Sequence, residues 1–250
     1  MDILFRASSV SDLMGVKGLG LTGQKRAITT YLENKYNRSR EFSSKYTDKG
    51  NQMEPSAIEM VARLTGLPLF KNVVRLHNEF ITGEADCILD EAIVDIKNSW
   101  DLVTFSIRSS DYSDQMQCYM ELYDKPTATV AYCLQSAPDD IIERELKGLT
   151  FKYGDNVPEW EEIRIVNNMV YDKPTFLNWI DKRDWIGEDS KAIDLIEGFV
   201  HIPEHERIAL VKYERDPIRM KLIEERVHMA REFIKQNFII IETTWKSKEH

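Results

Sequence analysis

Asp86 and the tripeptide Asp95-Ile96-Lys97 supply the groups that phosphodiester chemistry needs: two carboxylates able to share one hard cation, and an ammonium beside them. A period of two puts Ile93, Asp95 and Lys97 on one face of a strand and Ala92, Val94 and Ile96 on the other. Residues 82–89 and 92–97 read as two strands of an antiparallel hairpin, with Asp90-Glu91 as the tight connection that returns Asp86 beside Asp95. Mg2+ takes near-octahedral oxygen ligation and keeps several waters, so one or two carboxylates and a backbone carbonyl suffice to hold it. A cation so placed polarises a phosphoryl oxygen and acidifies a bound water, and a neighbouring ammonium stabilises the charge that develops on phosphorus. The same acid-x-Lys spacing recurs at Glu33/Lys35, Glu145/Lys147 and Asp189/Lys191, so the tripeptide alone says little. Only Asp95/Lys97 falls in a convincing strand, and the plain alternative there is a surface salt bridge across the sheet.

The elements around the hairpin decide which groups can reach it. The sequence predicts a helix opening at Gly50, running to about Arg63 and stopping at Gly66, with Pro55 in its first turn. Ala57, Ile58, Val61 and Leu64 form its buried stripe, and Glu54 sits at its start, where a carboxylate also complements the helix dipole. Residues 111–123 read as a second helix, ending at Asp124-Lys125-Pro126 before a buried strand over 127–134. Gln115 and Gln117 lie near the first turns of that helix; two apart, they do not share a face, so at most one points straight at a metal. Residues 208–216 read as a late strand leading into a long amphipathic helix from about Pro217 to Gln236.

Taken in order, Gly50-x-x-x-Glu54, Asp86, Asp95-x-Lys97 and Gln115-x-Gln117 resemble the PD-(D/E)xK nuclease superfamily, and within it the lambda-exonuclease (YqaJ-type) viral recombinase branch. Ala85 stands where the superfamily pattern has proline, and the (D/E) position is the shorter Asp95. The resemblance implies an α/β fold with a restriction-endonuclease-like core, a mixed central sheet flanked by helices. It implies Glu54, Asp86 and Asp95 as metal-binding carboxylates, the Ile96 carbonyl as a further ligand, and Lys97 as the group that positions the attacking water. Gln115 and Gln117 would support the site, Gln117 touching the DNA backbone, and Arg6, Ser8 and Ser9 would help hold a terminal phosphate. For the serines the alternative is that Ser8, Ser9 or Ser11 caps a helix over residues 10–14. The implied activity is Mg2+-dependent, with Mn2+ a substitute. It is 5′-to-3′ exonuclease action on linear duplex DNA ends in phage replication or recombination, with a single-strand annealing protein as partner and a trimeric ring as the assembly. A RecB-like or structure-selective endonuclease, and a catalytically inactive DNA-end-binding module, are the competing readings.

The 250 residues, 42% of them hydrophobic, are enough for one sizeable core, and nothing in the sequence marks a second domain within 1–250. No apolar run is long enough for a membrane span and the start shows no signal-peptide pattern, so the expected location is the cytoplasm, the host's if the protein is viral. Cys87, Cys118 and Cys133 are too scattered for a metal pair and read as reduced apolar fillers. A net charge of −9 argues against a protein that coats DNA, although basic stretches over 17–26, 35–49 and 63–75 are placed to border a phosphate channel or to face solvent. Gly15 to Gly23 lacks the lysine-serine ending of a phosphate loop and reads as a flexible loop. His201 and His205 are interrupted by Pro203 and make a poor zinc pair, and Trp160, Tyr171, Phe176, Trp179 and Trp185 read by default as helix-packing residues.

Overall fold

Two β-favouring runs at the centre of the chain organise the molecule. The computed structural model describes residues 3–38, 44–108, 111–154, 156–182 and 189–246. In chain order the elements are β1 (Phe5–Arg6), a 3-10 helix (Ala7–Leu13), α1 (Gly20–Tyr36), α2 (Lys45–Thr65), β2 (Leu76–His77), β3 (Ile81–Gly83), β4 (Cys87–Ile88), β5 (Ala92–Asn98), α3 (Leu102–Ile107), α4 (Ser113–Leu122) and β6 (Thr127–Cys133). They continue with α5 (Asp139–Tyr153), α6 (Glu159–Met169), α7 (Lys173–Asp181), α8 (Asp189–Gly198), β7 (Ile208–Glu214) and α9 (Pro217–Lys246). The main sheet has the order β4-β5-β6-β7, with β5 and β6 parallel and both outer pairs antiparallel. The parallel pair requires a crossover, which α3 and α4 supply. A smaller sheet, β1-β3-β2, joins the amino-terminal strand to the region before the hairpin.

Strand alternation sorts the core into two faces. Ile93, Ala128, Val130 and Tyr132 are buried in one cluster with Met116 and Met120 of α4 and with Ile223 and Val227 of α9. Val94, Ile96, Ala131 and Cys133 are buried on the other face against Ala57, Ile58, Met60 and Val61 of α2. This is the mixed sheet flanked by helices that the sequence predicts. A third cluster, built from α5, α6 and α7, buries Ile141, Leu149, Val166, Phe176 and Trp179. Of the aromatics assigned to helix packing, Tyr171, Phe176 and Trp179 are buried, Trp160 is exposed, and Trp185 lies outside the described residues.

The structure departs from the sequence reading at three places that bear on the site. The stretch over 82–89 is divided between two sheets: β3 belongs to the small one and β4 to the large one, and Asp86 sits at the bend between them. The break has local causes. A Cβ on Gly83 would meet the Tyr119 ring at 2.7 Å, and the Asn72 side chain and amide take the Ala85 and Asp86 carbonyls at 2.9 and 2.7 Å, away from any ladder. Secondly, α2 begins at Lys45, five residues before the Gly50 start that Pro55 suggested, because Ser44 and Thr47 form a reciprocal capping box. Glu54 is therefore mid-helix and Pro55 interior, a placement that costs about 3 kcal/mol in isolation and is offset by the apolar stripe buried beyond it. Thirdly, Gly20 and Gly23 belong to α1, so the glycine-rich loop is shorter than expected. Residues 7–13 form a 3-10 helix without a side-chain cap; Ser9 Oγ instead donates to the Arg6 carbonyl at 3.0 Å.

Candidate active site

Asp95 and Lys97 share the α4 face of β5, as their spacing requires. Asp95 is only 1% exposed, and Lys97 Nζ lies 2.6 Å from its Oδ2. Lys97 Nζ also stands 4.8 Å from the centroid of the Tyr112 ring, just before α4. Burial pushes the Asp95 carboxyl upward, Lys97 pulls it back, and the nearby Asp86 adds to the upward push. For Lys97 burial alone would lower the pKa, but Asp95 and then Asp86 outweigh it and hold the ammonium charged.

Asp86 reaches this pair from the bend. Its Oδ2 accepts a 2.7 Å hydrogen bond from the Ile96 amide, at the edge of β5 beyond the short β4. The Ala92 carbonyl of the same strand bonds Leu89 across the hairpin, and residues two and four further on direct their backbone groups to that same edge. The Ile96 carbonyl thus faces the side from which Asp86 approaches. Two carboxylates and one carbonyl are an oxygen-only set suited to a hard divalent cation. Asp95 Oδ2 strengthens the fit: it is buried beside the Lys97 ammonium, with no well-formed hydrogen bond among the described residues.

Glu54 arrives by a route the sequence did not suggest. Lys71, in the segment after α2, puts its Nζ against Glu54 Oε1 and 3.0 Å from Asp86 Oδ1, bridging helix and bend. Burial would lower the Lys71 pKa, but the two carboxylates raise it, so the bridge stays charged. Among the described residues no three His, Cys, Asp or Glu side chains converge as a metal cluster, and Glu54 faces the Asp86/Asp95 pair through this ammonium. Lys71 lies in the basic 63–75 stretch, whose even spread of charge gave no hint that one lysine turns inward. Its only local signal is an isolated β-bridge to Cys87, which needs the fold to be seen.

The glutamines part company. Gln115 Nε2 donates to the Tyr119 hydroxyl at 2.9 Å, and the charges of Asp95 and Asp86 add to the burial that pushes the Tyr119 hydroxyl pKa up. Gln117 is spent on backbone: its Nε2 donates to the Glu214 carbonyl and its Oε1 accepts from the Asp216 amide, each at 2.8 Å, closing the corner between β7 and α9. Arg6 is exposed on β1 in register with Thr82, and Arg6, Ser9 and Thr82 line a groove of about 1070 Å³ with Thr22, Lys25 and Arg26 of α1. Ser8 is exposed beside it.

Fold and site together define an α/β protein, a mixed sheet flanked by helices, with an acid-acid-lysine constellation at one strand edge. Two solved structures share that fold along nearly their whole length. One is a phage-related exonuclease from Haemophilus somnus 129PT, 24% identical, covering 96% of this chain and 97% of its own with a TM-score of 0.69. The other is the alkaline exonuclease LHK-Exo from Laribacter hongkongensis, 14% identical, covering 99% and 94% with a TM-score of 0.56, a protein also solved in complex with dAMP. No protein-family model and no curated protein matches the chain. Among the described residues no helix is long and apolar enough to cross a membrane.

Proposed function

We propose that this chain is a metal-dependent deoxyribonuclease that hydrolyses DNA phosphodiester bonds as an exonuclease on linear duplex ends, with 5′-to-3′ polarity and a role in phage replication or recombination. The observation that carries the reading is the meeting of Asp86, Asp95, the Ile96 carbonyl and Lys97 at one edge of β5. The two carboxylates and the carbonyl would hold Mg2+ or Mn2+, which when bound supplies Lewis acidity and acidifies a water. The remaining work falls to the chain itself. Lys97, held charged by Asp95, orients the attacking water and stabilises negative charge on the phosphoryl oxygens. Lys71 bridges Glu54 and Asp86 and holds the place that an incoming cation would contest. The fold shared with two exonucleases supports the same reading, and the Arg6/Ser9 groove offers a place for a terminal phosphate.

The test is a time course on end-labelled linear duplex, 5′-phosphorylated or not, against closed circular DNA, in Mg2+ or chelator. Mg2+-dependent release of mononucleotides from linear duplex alone is the expected result. Cleavage of the circle would replace the exonuclease by an endonuclease, and metal binding without hydrolysis of any substrate would leave a DNA-end-binding module.

A further inference from the structure

A second polar cavity, of about 510 Å³, lies against a different side of α2 from the Lys71 bridge. It is lined by Met53, Ser56 and Met60 of α2, Gln135 and Ser136 after β6, Asp172, Pro174 and Thr175 at the start of α7, and His201, Glu204 and Arg207 before β7. Arg207 is the anomaly in it. The residue is 7% exposed, its Nε is buried without a hydrogen-bond partner, and among the described residues no acceptor hydrogen-bonds or ion-pairs with its guanidinium. A buried donor left without an acceptor is unfavourable, and a guanidinium presents five donors in a fixed fork.

Gln135, also 7% exposed, lies in the same state. Its Oε1 accepts from Ser56 Oγ at 3.3 Å, while its amide NH2 meets no acceptor among the described residues. Two largely buried residues whose donors meet no acceptor among the described residues therefore line one cavity. The carboxylates in the wall do not answer them. Asp172 accepts from Ser136 Oγ and from the Thr175 amide at the start of α7, and Glu204 Oε1 is paired with Arg63 at 2.5 Å. Asp172 reduces the field of Arg207 without hydrogen-bonding it, and the wall keeps donors without acceptors beside the thioethers of Met53 and Met60.

We propose that this cavity is an anion-binding site for a phosphate group, seated on the Arg207 guanidinium and the Gln135 amide. Arg recognises a tetrahedral oxyanion through two parallel hydrogen bonds, which is the geometry these free donors lack a partner for. The site is separate from the candidate metal carboxylates and does not depend on the nuclease reading. Its phosphate could belong to a free anion, to a mononucleotide or to a DNA strand.

The test titrates full-length protein with inorganic phosphate, a deoxynucleoside 5′-monophosphate, the unphosphorylated nucleoside and a short duplex, in chelator, by calorimetry and thermal shift. An Arg6→Met/Lys97→Met background runs in parallel to remove phosphate binding at the Arg6/Ser9 groove and at the candidate active site. The informative variant is Gln135→Glu, which keeps the side-chain shape and gives Arg207 a built-in carboxylate; Arg207→Met is the second. Saturable binding of at least one phosphate-bearing ligand and not of the nucleoside, retained in the Arg6→Met/Lys97→Met background and weakened at least tenfold in Gln135→Glu, is the expected result. Binding of phosphate or mononucleotide identifies a free ligand, and binding of duplex alone identifies a backbone phosphate. Equal affinity in wild type and Gln135→Glu, or no binding of any phosphate-bearing ligand, would overturn the proposal. Should Arg207→Met show no cooperative melt, Gln135→Glu decides by itself.

Discussion

Two lysines, Lys97 on β5 with a quarter of its side chain exposed and Lys49 on α2 almost wholly buried, both lose hydration and respond to that loss in opposite ways. Lys97 lies 2.6 Å from a carboxylate and keeps its proton tightly. Lys49, only 1% exposed, donates to the Ser99 and Trp100 carbonyls at 3.0 and 2.8 Å; burial lowers its pKa to about 7, with only a partial correction from Asp101. Desolvation acts against the ammonium in both places. A neighbouring carboxylate reverses it at the sheet edge, while neutral carbonyls satisfy hydrogen bonds without supplying charge at the other. The difference separates a cation that keeps its charge from one that burial brings to a pKa of about 7.

The largest effect should come from breaking the charged pair. Asp95→Ala or Lys97→Ala should fold with an unchanged circular dichroism spectrum and lose metal-dependent DNA hydrolysis by about two orders of magnitude or more, the scale of losing one preorganised charge-stabilising group. Full activity in either purified variant would remove this region's claim to chemistry.

Lys49 makes the contrast measurable in pH. Its folded pKa is depressed below the unfolded one, so between about 7 and 10.5 the unfolded chain binds more protons and stability rises with pH; below about 7 the full penalty applies. Lys49→Met should remove that rise, worth several kcal/mol at the usual 1.36 kcal/mol per pKa unit. The measurement is the difference in urea midpoints between wild type and variant across pH 6.5–10, and parallel pH profiles would show that Lys49 is not the titrating group.

Gln117→Leu tests the corner between β7 and α9. Loss of both backbone hydrogen bonds should cost about 2 kcal/mol, read as a lower denaturant midpoint. The smallest effect is expected at the half-exposed Lys71 bridge. Lys71→Met leaves Glu54 and Asp86 without their shared ammonium and should tighten Mn2+ binding by about threefold to tenfold, a magnitude kept small by solvent screening. Weaker Mn2+ binding in calorimetry would mean that the bridge assists the ion instead of competing with it.

The sequence pattern was sufficient for elements whose hydrophobic period is local. The sidedness of β5, the buried strand β6, and the strand β7 running into α9 all follow from alternation and helical spacing, and the observed bounds of α4, Ser113–Leu122, fall within two residues of expectation at each end. It misled where a local signal was outvoted at a distance. Pro55 pointed to a helix start, but the Ser44 cap and the stripe packed on the sheet carry α2 straight through it. The 82–89 run has strand propensity throughout, yet Gly83 against Tyr119 and Asn72 on the Ala85 carbonyl bend it between two sheets.

The candidate site divides in the same way. Residue types and a period of two were enough to place Asp95 and Lys97 on one face, because side-chain direction along a strand is a property of the backbone. Which charges meet across elements was decided only by tertiary structure: Asp86 on the Ile96 amide, Lys71 between Glu54 and Asp86, Gln117 turned to the β7–α9 corner, and Arg207 lining a cavity with its Nε unpaired among the described residues. The physical reason is range. Propensity and alternation act over a few residues, whereas the pairing of buried charges depends on where the chain returns after tens of residues, and the packed core settles that.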